Sequence, residues 1–254
     1  MNLILSLQSS HFALCSFPAV EGADYQFSVP QTSFSPTEQS QCHPITILDD
    51  IILENTESME ASLSVGMARV SVRISSETVS ITDDDSVTVG FNQTQFTVTE
   101  DDPEAVSVCV HLTGELERNI SLAIESEAGS ANSQDFSAVS EEMVFTPGAA
   151  RSQCLSVHVP ADMTVEATES FSLRLSSQDS AVLISQGVSR VFIIDDDQVR
   201  VGFKERTVTV SEGSHVIPVC VDFVGRTQGD IEVVLESQQS SAQGTFKLLF
   251  IGLY

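Results

Sequence analysis

The chain has 254 residues, 36 of them acidic and 11 basic, for a formal net charge of −25. A surface so negative repels nucleic acid and anionic membranes and attracts cations. Hydrophobic residues make up 41%, too many for a disordered chain, and with no Trp and two Tyr the interior must be filled by Phe, Val, Ile and Leu.

Met1 to Cys15 carry a short apolar run with no positively charged start and no long apolar centre. It is open to two readings, a signal peptide or the remnant of a repeat. The repeat is favoured, because Ser6-Leu7-Gln8-Ser9-Ser10 sits where later segments carry Ile124-Glu125-Ser126 and Leu235-Glu236-Ser237. Acids follow at Asp24, Asp49-Asp50 and Glu54. A triplet, Asp83-Asp84-Asp85, then stands between the apolar runs Val79-Ser80-Ile81 and Val87-Thr88-Val89-Gly90-Phe91. The same arrangement returns at Asp195-Asp196-Asp197, after Val191-Phe192-Ile193-Ile194 and before Val199-Arg200-Val201-Gly202-Phe203. The offset is 112 residues for Asp83 and Asp195, Val87 and Val199, Cys42 and Cys154, Asp50 and Asp162, Glu54 and Glu166, Glu57 and Glu169, and Glu100 and Glu212. It slips to 111 for Cys109 and Cys220. Apolar runs, cysteines and carboxylates recurring together define an internal repeat. Residues 87–198 form one complete unit, residues 1–86 a partial unit lacking its first strands, and residues 199–254 a partial unit with a divergent end.

Inside the complete unit the apolar period is two. Phe96 and Val98 alternate with threonines; Val106, Val108, Val110 and Leu112 alternate with Ser107, Cys109 and His111. The pattern continues through Ile120/Leu122/Ile124, Leu155/Val157/Val159, Phe171/Leu173/Leu175 and Val191/Ile193, with turns at Thr113-Gly114 and Pro147-Gly148. No stretch carries a helical stripe. The expected fold is therefore all-β: tandem antiparallel β-sandwiches, immunoglobulin-like, with about seven strands per unit. Phe246 to Tyr254 leave the pattern and are too short to span a bilayer, which takes ~20 residues.

The acids of the complete unit fall at strand ends: Glu100, Asp135, Asp162, Glu166, and Asp195 to Asp197. Isolated acids on loops are ordinarily just solvated. A triplet recurring with an Asp-x-x-x-Glu pair suits a cation better, because converging carboxylates repel until a divalent ion neutralises them. Calcium takes six to eight oxygen ligands in irregular geometry, whereas zinc would need His or Cys clusters that are missing.

These features resemble the Calx-beta repeat, a calcium-binding sandwich of sodium/calcium exchangers and of large matrix and adhesion proteins. The residues that carry the resemblance are Val98-Thr99-Glu100 and Val210-Ser211-Glu212, Gly22-Ala23-Asp24-Tyr25, Phe145-Thr146-Pro147-Gly148, Glu169-Ser170-Phe171 and the closing Asp triplets. The resemblance implies calcium ligands at Glu100, Asp135, Asp162, Glu166, Asp195, Asp196 and Asp197 in the complete unit. In the first unit it implies Asp24, Asp49, Asp50, Glu54, Asp83, Asp84 and Asp85. Ala161 stands where the first unit has Asp49, and one carboxylate fewer implies weaker binding. By parity Cys109 and Cys154 face outward. The family's second and fifth strands are expected to be neighbours, which implies a Cys109–Cys154 disulfide, with Cys42 and Cys220 lacking their counterparts. Asn92-Gln93-Thr94 and Asn119-Ile120-Ser121 are glycosylation sequons.

No phosphate-binding glycine loop, nucleophile elbow or zinc-binding His pair is present. His111 and His158 read as neighbours on a solvated face. The sequence thus describes a binding module and not an enzyme. Its partners would be calcium ions, neighbouring repeats of the same chain and other cell-surface or matrix proteins, with no nucleic acid and no small-molecule substrate. The expected setting is extracellular or at the cell surface, in adhesion or cell communication. The alternatives are a calcium-sensing region of a membrane exchanger and a structural spacer with degenerate sites.

Overall fold

A computed structural model describes residues 2–7, 17–27, 31–67, 70–100, 102, 106–214 and 216–238. Met1, the segment 8–15 with Cys15, and the apolar end from Phe246 to Tyr254 lie outside the described residues.

The sandwich of the complete unit has nine strands: β1 (Val87–Phe91), β2 (Gln95–Thr99), β3 (Val106–Thr113), β4 (Ile120–Ala128), β5 (Ser140–Phe145), β6 (Ser152–Val157), β7 (Glu169–Ser176), β8 (Val182–Gln186) and β9 (Val188–Ile194). They form two sheets, in the orders β2-β9-β7-β4-β5 and β6-β3-β1-β8. The count exceeds the expected seven because the first and last strands each divide between the sheets. The opening strand breaks at Asn92 to Thr94 and the closing strand at Gly187.

Alternation explains the core. Val108, Val110, Ile120, Leu122, Ile124, Phe171, Leu173, Val191 and Ile193 are each buried to within 1% of full burial, while Ser107, His111, Ser121 and Ala123 between them face out. Period-two placement of β-branched and aromatic side chains packs one face of each sheet against the other. Phe145, on a strand whose Glu141-Glu142 start hides it in the sequence, is equally buried. The β3 strand turns at Gly114 with φ of 117°, and a Cβ there would meet Val87 Cγ1 at 2.8 Å. Gly225 repeats this with φ of 128° against Val199. Both the backbone angle and the close approach select glycine.

Both pairings of the split strands, β8 with β1 and β9 with β2, are parallel. The chain therefore enters beside Val182 and leaves beside Thr99, at opposite ends of the unit. Such a unit can be chained head to tail.

The flanking units repeat this plan. Glu57–Val65 pairs with Ser76–Ile81 and with Asn2–Leu7, which in turn pairs with Gln31–Ser33. This matches the β9-β7-β4-β5 order. Arg200–Phe203 pairs with Val221–Val224 as β1 does with β3. Phe203, Val208 and Val210 are exposed.

Two short parallel bridges tie consecutive units. Ile52–Leu53 pairs with Glu115–Leu116, and Thr164–Val165 pairs with Arg226–Thr227. Leu53 is fully buried within the core of the complete unit. Arg118 Nε donates to Glu54 O at 2.8 Å, and its Nη1 meets Asp179 Oδ2 at 2.5 Å.

Candidate metal centre

The acids assemble because of the strand plan. Parallel pairing of β2 with β9 ends at Thr99 opposite Ile194, and Glu100 N donates to Ile194 O at 3.0 Å. This brings Glu100 beside the Asp195 triplet. Antiparallel β7 starts at the same end, with Glu169 opposite Ile193. The β4–β5 loop returns there as well. Phe136 stacks on Phe171 with ring centroids 3.9 Å apart, and this anchors Asp135. The loop after β6 adds Asp162 and Glu166.

Several of these acids also shape their own loops. Asn132 N donates to Asp135 Oδ2 and Thr164 N to Asp162 Oδ1, both at 2.6 Å, and Asp197 N donates to Asp195 Oδ1 at 3.3 Å. The first unit repeats two of these bonds: Ile52 N to Asp50 Oδ1 at 2.7 Å, and Asp85 N to Asp83 Oδ1 at 3.3 Å. The loops are therefore fixed by the same carboxylates that point into the cluster.

Three groups of carboxylates place one oxygen each within 4.8 Å of the others: Glu100, Asp162 and Asp197; Asp135, Glu166 and Glu169; and Asp24, Glu54 and Glu57. The third corresponds to the second, one repeat earlier. The first has no counterpart in the preceding unit among the described residues. Asp49, Asp50, Asp83, Asp84 and Asp85 line the same cleft as Asp24, Glu54 and Glu57. Asp195 faces both Glu100 and Glu166. The middle residues of the triplets, Asp84 and Asp196, are exposed, while their neighbours are half-buried. Strand alternation continues through the triplet and leaves the central side chain the most exposed of the three. Glu57 and Glu169 were not among the expected ligands. Their signal was the 112-residue repetition itself, and their position at a strand start made them read as fold markers.

Electrostatics mark these groups as strained when no cation is present. Burial, then the carboxylates of Asp162, Glu166, Asp195 and Asp197, push Glu100 up to about 7 from an ordinary 4.5. Burial, then a hydrogen bond with Asp135, pushes Glu169 up to about 7. Glu54 and Glu57 stand at about 7 as well, each raised first by burial and then by neighbouring acids, Glu117 and Asp24 respectively. Glu166 is raised by burial and then by Asp135. Glu169, only 8% exposed, leaves Oε2 without a hydrogen-bond partner. The donor set is all carboxylate, with no His or Cys. Hard oxygen ligands around an orphaned buried oxygen fit calcium and do not fit zinc.

A pH dependence follows. These glutamates keep their protons to higher pH when folded than when unfolded, so the native state binds more protons between about 4.5 and 7. Their contribution to stability is full below about 4.5 and is lost as pH rises through about 7. Asp179, held low by its hydrogen bond from Arg118, acts only below its ordinary 3.8 and does not enter this window. In chelator, the melting temperature should fall between pH 5 and pH 8, and calcium should remove most of that fall. A flat profile in chelator would contradict the crowding described here.

The Cys109–Cys154 bridge is formed, between directly opposed residues of β3 and β6 whose Cα atoms are 3.9 Å apart. This is closer than the usual 4.4–6.8 Å. Cys42 and Cys220 are free and exposed. Asn92 and Asn119 are exposed. His111 and His158 share the outer face without being neighbours: His111 is opposite Ser152, whereas His158 lies just beyond the far end of β6.

A two-layer sandwich that gathers acids from five loops and strand ends at one pole defines a class of acidic β-sandwich repeat. The chain belongs to the Calx-beta family: a model of the Calx-beta domain matches residues 16–85, 82–197 and 195–246. No curated protein matches it. Among solved structures, the apo-form Calx CBD1 domain is similar, at 23% identity over 44% of this chain and 100% of that one, with a TM-score of 0.41. CBD12 from CALX1.2 is 25% identical over 46% of this chain and 48% of that one, with a TM-score of 0.41. The calcium binding domain CBD12 of CALX1.1 is 23% identical over 57% and 56%, with a TM-score of 0.40. The chain thus spans about half the length of the two CBD12 structures.

Proposed function

We propose that this chain is a non-catalytic calcium-binding module whose ions sit at the joints between repeats and stiffen them, within an extracellular or cell-surface protein of adhesion or cell communication. The observation that carries the calcium reading is the all-carboxylate cluster at the exit pole of the complete unit, with its buried, unpartnered Glu169 oxygen. Glu100, Asp135, Asp162, Glu166, Glu169, Asp195 and Asp197 would hold the ions there. Asp24, Glu54, Glu57 and the acids lining their cleft would do so in the first unit. A bound ion supplies positive charge that offsets the mutual repulsion of these groups. The residues themselves orient the loops through the backbone bonds they accept.

The extracellular setting is supported by the Cys109–Cys154 bridge, since disulfides persist in oxidising compartments, and by exposed sequon asparagines at 92 and 119. Other cell-surface or matrix proteins would be the partners in that setting.

Calcium titration of the Asp197→Asn and Asp196→Asn variants tests the site. Asp197 belongs to the group with Glu100 and Asp162, so its loss should weaken binding by about tenfold, affinity following ligand charge. Asp196 is exposed and outside the groups, so its loss should have a smaller effect. Equal effects would mean that the triplet acts only through bulk charge.

A further inference from the structure

The terminal strands of the complete unit set the path that tension takes through it. The chain enters at Val87 on β1 and leaves at Ile194 on β9, at the opposite pole. β1 runs parallel to β8, from Val87 beside Val182 to Gly90 beside Gln186. β2 runs parallel to β9, from Gln95 beside Arg190 to Thr99 beside Ile194. Both ladders reach the points where tension arrives: Val87 N donates to Ala181 O and Glu100 N to Ile194 O, each at 3.0 Å. A pull on the two ends draws β1 and β2 toward the entrance pole and β8 and β9 toward the exit pole. The ladder bonds lie across that pull and are loaded together, in shear. Terminal strands that ended at one pole would instead unzip bond by bond. The Cys109–Cys154 bridge closes a span of 45 positions that holds β4 and β5, and tension bypasses this span.

We propose that the complete unit is a load-bearing element: the parallel β1–β8 and β2–β9 ladders are a mechanical clamp, and the Cys109–Cys154 bridge limits how far the unit extends once the clamp yields. This function goes beyond the calcium reading and does not rest on it. Forced unfolding is governed by the rate at which the native state gives way, not by equilibrium stability. Resistance to force is therefore set by the two ladders, whereas the melting temperature draws on the whole core. The clamp also has an addressable bond. β2 is an edge strand paired with β9 alone, so its backbone groups face β9 and solvent by turns. Arg190 N donates to Thr94 O, and Glu100 N to Ile194 O. By the same alternation the Val98 N–H faces β9 and the Thr97 N–H faces solvent.

The test is to stretch single molecules of the full chain, tethered by tags at its two ends, in chelator, so that calcium binding plays no part in the outcome. The complete unit should give way in a single step. Reductant identifies that step by lengthening it by about 160 Å, the extended length of 45 residues. Val98→Pro removes a clamp bond and should lower the force to about half. Thr97→Pro removes an N–H that faces solvent and should leave the force within about a tenth of wild type. Met143→Ala empties a core position on β5, inside the bridged span, so it should lower the melting temperature and leave the force unchanged. This variant and the wild-type trace decide the matter if Val98→Pro folds poorly. Forces that follow the melting temperatures from variant to variant, or β9 peeling away in several weak steps, would overturn the clamp. No step that lengthens in reductant would overturn the role given to the bridge.

Discussion

In millimolar calcium the chain is expected to unfold at a higher temperature than in chelator. The ions bind carboxylates gathered only by the folded sandwich, because Glu100, Asp135, Glu169 and Asp197 are far apart in sequence and meet through β2, β7 and β9. A ligand that binds only the native state stabilises it by mass action, by about 2.7 kcal/mol at 100 times its dissociation constant. For a unit of this size that is a shift of roughly 10 °C. The effect should be larger at pH 7.5 than at pH 5.5, because at the lower pH the four glutamates near 7 hold protons that the ions must displace. Differential scanning calorimetry at both pH values decides it. Coincident melts in calcium and chelator at pH 7.5 would refute the metal assignment.

Replacing Cys109 and Cys154 together with serine should cost the complete unit about 3–4 kcal/mol, the loop-entropy value for a closure of 45 residues. The location adds a reason to expect the full effect. β6 is an edge strand, paired with β3 alone, and the bridge ties the two strands near their middle. Beyond β6 the chain runs into the loop carrying Asp162 and Glu166, so loosening the strand should also weaken calcium binding. Denaturant unfolding of the variant, beside wild type with and without reductant, measures the first effect, and a calcium titration the second. A double-serine variant within about 1 kcal/mol of wild type would mean that the edge strand is held without the bridge.

Much of this was legible beforehand. The buried faces of β3, β4, β6, β7 and β9 follow from period two, and the outward parity of the two cysteines follows from the same alternation. The family's strand order added the expectation that they pair. Two strands were missed. Ser140–Phe145 begins with two glutamates that resemble a loop, and Val182–Gln186 is mostly exposed, so neither shows clean alternation. The split of the opening strand at Asn92 to Thr94 was equally invisible, because a strand that changes sheets keeps its local pattern while its neighbours change.

The candidate site divides along the same line. The repeat spacing and the Asp triplets come from the sequence by itself, because both are relations along the chain that need no partner. Alternation along one strand, likewise local, fixed which apolar side chains are buried. That Glu169 and Glu57 join the clusters, and that Asp196 stays exposed outside them, were decided only by tertiary structure. Each depends on which loops close at one pole, and those contacts join residues up to 97 positions apart, Glu100 and Asp197. No pattern within a single strand encodes them, since the carboxylates are brought together by strand pairing and docking elsewhere in the fold, against their own repulsion.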